Sequence, residues 1–97
     1  MKLQDLHPAF EHRARLAIAV LLAGSDEIAF SALKRHLDLT DGNLGAQLRR
    51  LEEDGIIVLR RDFVDRKPAT WYALTRQGRK SLDKHLGALQ SLIDAAG

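Results

Sequence analysis

A chain of 97 residues has the length of one domain with one core, and a domain of that size buries about two thirds of the surface its unfolded chain exposes. It holds no cysteine, which excludes a disulfide framework, a thiolate zinc site and a thiol nucleophile; with 45% hydrophobic and 29% charged residues it is not a disordered chain. Lys and Arg number 15 against 13 Asp and Glu, and the resulting net charge of +2 is too small to indicate nucleic acid as a partner without knowing where the charges lie.

Pro8 suits the first turn of a helix, and Phe10, Ala14, Ala17 and Leu21 follow at spacings of four, three and four. Ile18 and Leu22 widen that stripe, and Leu16 and Val20 carry it almost round the cylinder. A helix over 8–23, buried on more than one side, is predicted. Its apolar run from Leu16 to Ala23 is eight residues, far below the ~20 of a membrane span. Asp5, His7, Pro8 and Glu11 do not fit a signal peptide, so a soluble, cytoplasmic protein is expected.

Gly24-Ser25-Asp26 breaks the first helix, and Ile28-Ala29-Phe30 reads as a strand stub. Ser31 is a candidate N-cap for a short helix over 31–37, with Leu33 and Leu37 on one face. After the break at Asp38-Leu39, Thr40 caps a helix over 41–54, with Asp41 favourably placed in its first turn. Leu44, Leu48 and Leu51 share one face, and Gly55 ends the helix. A hairpin over 56–74 follows. Ile56 to Leu59 is a strand that Arg60, Arg61 and Asp62 continue outward, residues 63–69 with Pro68 read as a loop, and Thr70 to Leu74 is the returning strand. Thr75 caps a last helix over 76–96, where Leu82, Leu86, Leu89, Ile93 and Ala96 recur at four, three, four and three, a heptad seam. The fold class is mainly α with a small β-hairpin (α+β), in a single domain over 1–97.

A short helix, a tight turn and a second helix ending in glycine make a helix-turn-helix, whose second helix enters the major groove. At about 100° per residue, the face opposite Leu44, Leu48 and Leu51 holds Gly42, Ala46, Arg49 and Glu53, flanked by Asn43 and Arg50. Glycine and alanine there admit a close approach to the groove. Asn43 suits adenine, and Arg49 or Arg50 suits guanine or phosphate. Thr40, Asp41 and Gln47 complete the candidate set on this helix. Glu52, Glu53 and Asp54 gather at the end away from the groove. The hairpin adds a basic cluster of Arg60, Arg61, Arg66 and Lys67. Because Arg60 and Arg61 alternate across a strand, at most one of them is expected to face DNA, and Arg61 joins Arg66 and Lys67 as a candidate contact.

Residues 31–57, followed by a basic turn and the return through Leu82, resemble the prokaryotic winged-helix transcriptional regulators, most of all the compact group related to the MarR and ArsR families. The close of the second helix, L-x-x-L-E-x-x-G, is Leu48, Leu51, Glu52 and Gly55. The return from the wing, Y-x-L-T-x-x-G-R, is Tyr72, Leu74, Thr75, Gly78 and Arg79. The resemblance covers about residues 10 to 85. It implies a homodimeric repressor or activator on a pseudo-palindromic operator, with a winged helix-turn-helix and an added dimerisation helix. MarR proteins carry Asp-x-Arg in a longer wing; here Asp65 and Arg66 are adjacent. With one helix after the wing, dimerisation falls to the first and last helices, through Phe10, Leu82, Leu86, Leu89 and Ile93.

Other readings carry less of the chain. ArsR-type sensors bind zinc through Asp and His on the last helix; Asp83 and His85 begin that pattern, but no His or Glu completes it, so no metal is expected. Gly42-Asn43-Leu44-Gly45 matches the G-x-x-G of KH-type RNA binders without their flanks. Trp71 suits packing, a ligand-pocket wall or a dimer contact. With no phosphate-binding glycine loop, G-x-S-x-G or H-E-x-x-H, neither an enzyme nor a cofactor is expected. The expected partners are duplex DNA and a second copy of the chain, with no membrane; a small-molecule effector stays open. The alternative function is a protein–protein adaptor that uses the same fold without DNA.

Overall fold

The computed structural model describes residues 3–97. Two 3-10 turns, Leu3–Asp5 and Pro8–Phe10, precede α1 (Arg13–Ala23), β1 (Ile28–Ala29), α2 (Phe30–Leu37), α3 (Asp41–Glu53), β2 (Ile57–Val64), β3 (Lys67–Leu74) and α4 (Arg76–Ala96). The architecture is the expected α+β one. The predicted single domain starts with residues 1–2, which lie outside the described residues. Among the described residues no helix is long and apolar enough to cross a membrane.

The first helix departs from the continuous run expected over 8–23. Pro8 opens only a 3-10 turn, and the backbone becomes extended at His12 (φ −91°, ψ 125°) before α1 begins at Arg13. Two histidines cause the break. His7 Nδ1 accepts the Ala9 N–H at 3.0 Å and His12 Nδ1 accepts the Ala14 N–H at 3.1 Å, so each side chain caps a new start in place of continued helix. Ser31 is not the cap of α2 either. That helix starts at Phe30, directly from β1, with Ala29 at the cap position and no side-chain cap.

The sheet is three-stranded and antiparallel in the order β1-β3-β2, so the strand stub is a working edge: Ile28 pairs with Tyr72 and Ala29 with Trp71. The hairpin is longer and tighter than predicted. No loop spans 63–69; β2 continues to Val64 and the turn is Asp65-Arg66 alone, both left-handed at φ 51° and 66°. Two positive φ values are what a primed two-residue turn requires. Asp adopts them readily. Arg66 does so at a cost of about 1 kcal/mol. Pro68 fits within β3 because it faces Phe63, one pair beyond the hydrogen-bonded pair that flanks the turn, and lies beyond the reach of β1.

One face of the hairpin carries Ile57, Leu59, Arg61 and Phe63 with their partners Leu74, Tyr72, Thr70 and Pro68. Its base closes over the core, where Ile18, Leu22, Leu33, Leu44, Leu51, Ile56 and Leu82 are wholly buried. Full burial of each such side chain is worth about 1.5–3 kcal/mol. The stripe Leu44, Leu48 and Leu51 is buried as read from its spacing. The junction of α3, hairpin and α4 is fastened by Thr75, whose Oγ1 accepts the Gly78 N–H at 2.8 Å and donates to the Gly55 carbonyl at 2.7 Å. Gly78 lets α4 come this close: a Cβ there would fall on the Ile56 carbonyl oxygen and 2.8 Å from its carbon.

Two of the residues expected at a dimer interface belong to this chain's own core. Phe10 is 2% exposed and Leu82 1%. The 3-10 turn of residues 8–10 folds back on α4, where Phe10 meets the edge of the His85 ring at 5.2 Å and His85 Nδ1 accepts the His7 N–H at 3.0 Å. The buried stripe of α4 is therefore Gly78, Leu82, His85 and Ala88, rotated from the heptad seam. Beyond Ala88 the helix runs past the core, which makes the molecule 52 Å long and 25 by 21 Å across. Leu86 and Ile93 of the predicted seam are exposed, Ile93 by 64%, with Leu92 beside them.

Candidate nucleic-acid interface

α3 is set by local chemistry at both ends. Thr40 Oγ1 accepts the Asn43 N–H at 3.1 Å, satisfying one of the free donors of the first turn. At the other end Gly55 takes φ 74° and the Ile56 N–H returns to the Leu51 carbonyl at 2.9 Å. With its leucines fixed in the core, the helix presents Gly42, Asn43, Ala46, Arg49 and Arg50 to solvent. The space above Gly42 is open, so a ligand's surface can come down onto the backbone there.

The remaining candidates on α3 divide by partner. Asp41 is turned to α2, where Lys34 Nζ lies 2.8 Å from its carboxylate; it braces the two helices. Arg50 Nε reaches Asp54 of its own helix at 3.0 Å, and an exposed pair four residues apart is worth only about 0.5 kcal/mol, so it holds Arg50 weakly. Gln47 is half-buried and joins two elements: its Nε2 donates to Asn43 Oδ1 at 3.1 Å, and its Oε1 accepts from Arg15 Nη1 of α1 at 2.9 Å. Arg49 stands on the side toward the hairpin.

There a groove of about 190 Å³ is lined by Gly45, Leu48, Arg49 and Glu52 of α3 and by Leu59, Arg61 and Tyr72 of the hairpin. Burial, and secondarily Glu52, raises the Tyr72 phenol above its ordinary value, so it stays protonated through the physiological range. Arg61 faces this groove, and Arg60 does not. Arg60 donates to Glu27 at 2.6 Å and to Asp62 at 2.7 Å, and its guanidinium lies 5.8 Å from the centre of the Trp71 ring. That hydrogen bond is the main reason the Glu27 carboxyl lies below the usual carboxylate range. The alternation of strand residues thus separates an ion-paired arginine, stacked on Trp71, from one with no ion pair among the described residues. Arg66 and Lys67 are exposed at the hairpin tip.

Two residues here were not singled out from the sequence. Phe63, 71% exposed, continues the face of Leu59 and Arg61 past the end of the core. Its signal was the period of two, hidden by reading residues 63–69 as a loop. Arg15 lies on a helix read as apolar nearly all round, and its contact with Gln47 spans 32 positions. No local pattern encodes such a contact.

The geometry agrees with what similar proteins are. A family model described as a winged helix DNA-binding domain matches residues 14–93. An uncharacterized protein of Methanocaldococcus jannaschii is 32% identical over 77 residues, 79% of this chain and 84% of that protein. A solved structure of a transcriptional regulator homologue protein from Pyrococcus horikoshii OT3 shares 28% identity, covering 97% of this chain and 98% of its own, with a TM-score of 0.81. A transcriptional regulator from Thermotoga maritima superimposes with a TM-score of 0.73 over 88% of this chain and 59% of its own; at 21% identity it speaks for the fold alone.

Proposed function

This chain belongs to the winged helix DNA-binding domain family, and from that premise we propose that it is a transcriptional regulator that binds a pseudo-palindromic operator as a homodimer, without catalysis or a cofactor. The observation that carries the reading is the division of labour on α3. One face is buried leucine, and the other is open glycine and alanine beside Asn43, Arg49 and Arg50. In this reading α3 lies in the major groove, with the positive end of its dipole toward the backbone. Arg49 and Asn43 meet base edges, Arg50 meets phosphate, and Arg61, Arg66 and Lys67 carry the wing along the backbone or into the minor groove. A role on DNA agrees with a cytoplasmic protein.

The dimer rests on the exposed part of the last helix. Leu86, Leu92 and Ile93 are large apolar side chains in water, and Val20 of α1 is exposed as well. For both α3 helices to enter successive major grooves, the dimer must set them about 34 Å apart, one turn of duplex.

The test is selection from a random duplex library followed by affinity measurements across a salt series. Affinity should fall steeply with salt as phosphate neutralisation releases counterions. Arg49→Ala should weaken the selected sequence about tenfold or more while leaving the fold intact. A pure protein that binds no duplex at low salt would overturn this reading in favour of the adaptor.

A further inference from the structure

A chain of hydrogen bonds runs from the N-terminal turn to the exposed face of α3. Arg15 Nε donates to the Ala9 carbonyl at 2.7 Å, Arg15 Nη1 donates to Gln47 Oε1 at 2.9 Å, and Gln47 Nε2 donates to Asn43 Oδ1 at 3.1 Å. Each link dictates the next. A guanidinium has donors only, so Gln47 must turn its oxygen to Arg15 and its NH₂ to Asn43. Asn43 must then answer with its oxygen, which leaves both hydrogens of Nδ2 for whatever lies above the helix. Among the described residues Arg15's hydrogen-bond partners are a carbonyl and an amide oxygen, and no carboxylate is paired with it. Its contacts orient neutral groups.

We infer that Arg15 is a specificity-positioning residue: from α1, without touching a base, it sets the orientation of the Asn43 amide, so that position 43 presents a donor to the major groove. The inference rests on the DNA-binding reading above. It names the recognised chemistry, a base-edge acceptor. Purine N7, guanine O6 and thymine O4 satisfy it, whereas cytosine offers the N4 donor and is disfavoured. The benefit lies in preorganisation. A free asparagine amide flips between donor and acceptor presentations and discriminates poorly; one held by Gln47 and Arg15 discriminates before contact is made.

The experiment selects bound sequences from a random duplex library with the full chain, Arg15→Met, Gln47→Met, Asn43→Ala and the double variant Arg15→Met/Asn43→Ala. Thermal midpoints confirm that each variant is folded. In Arg15→Met the base facing Asn43 should lose its preference against cytosine about tenfold, with the rest of the motif retained. Gln47→Met, which leaves Arg15 in place, should relax the same base. Adding Arg15→Met to Asn43→Ala should change nothing further at that base. In the free protein, the Asn43 side-chain amide resonances should move in Arg15→Met. An Arg15→Met motif identical to that of the parent overturns the inference. So does a loss equal across all sequences, which would mark Arg15 as a phosphate contact, and so does a further loss in the double variant. A parent chain that selects no sequence overturns the DNA-binding reading itself, and the inference with it.

Discussion

α3 and α4 begin on the same device and are put to opposite uses. In each, a threonine before the first turn accepts the N–H three residues on, Thr40 from Asn43 at 3.1 Å and Thr75 from Gly78 at 2.8 Å. Each buries a stripe of its residues in the core. They differ in what faces water. α3 shows Gly42, Asn43, Ala46, Arg49 and Arg50 along its length, with the carboxylates of Asp41 at its start and of Glu52 and Glu53 at its end. α4 ends in exposed Leu86, Leu92 and Ile93, apolar bulk set among the polar Gln90, Ser91 and Asp94, with Gln90 Nε2 donating to Asp94 at 2.9 Å. The first suits the edges of a duplex. The second suits another apolar helix, and the proposed dimer supplies one. An element's cap fixes where it starts; the composition of its exposed face sets what it meets.

The largest expected effect strikes the point where the two helices are joined. Gly78→Ala would force a methyl group onto the Ile56 backbone, and overpacking there should cost about 3 kcal/mol. Urea denaturation checks it. A stability within about 0.5 kcal/mol of the parent would mean that α4 does not sit against the hairpin base as described. Next comes the apolar end of α4. Leu86→Glu with Ile93→Glu should leave the fold intact, because both side chains are exposed, while converting a dimer to a monomer in sedimentation. Loss of the second half-site contact should lower operator affinity about 100-fold. A double variant that stays dimeric removes this face from the interface.

The smallest effect comes from acid. Burial, with a smaller contribution from nearby His7, holds the His85 imidazole below its ordinary value; Glu11 opposes this weakly. In the fold the ring is neutral, with Nδ1 accepting the His7 N–H. The unfolded chain therefore takes up the proton first. The stability tied to His85 is complete above about pH 6.5 and is lost as pH falls from there through the depressed folded value. The urea midpoint should drop between pH 7.5 and pH 5, and His85→Leu should flatten that drop. An unchanged slope in His85→Leu would show that the contact between the N-terminal turn and α4 does not titrate.

The features legible in the sequence are those encoded over one or two turns of chain. Thr40 and Thr75 announce helix starts because the cap and its N–H are three residues apart. Gly55 announces a stop, and Leu44, Leu48 and Leu51 mark a buried face at helical spacing. On α3 the exposed set of Gly42, Asn43, Ala46, Arg49, Arg50 and Glu53 followed from the same rotation. The tertiary structure alone decided matters that depend on partners distant in the chain. Phe10 and Leu82 read as dimer-interface residues but are buried where the N-terminal turn folds onto α4. Strand alternation already put Arg61 forward and left Arg60 aside, but only the tertiary structure supplies Glu27 as the partner that holds Arg60. The hairpin reaches Val64 because β3 holds it in register, which outweighs the turn signal of Pro68 and the cost of a left-handed arginine. Arg15 reaches Gln47 across 32 positions for the same reason. Spacing along a helix is written into the chain, whereas the partner that holds a side chain is fixed only when another element arrives to pair with it.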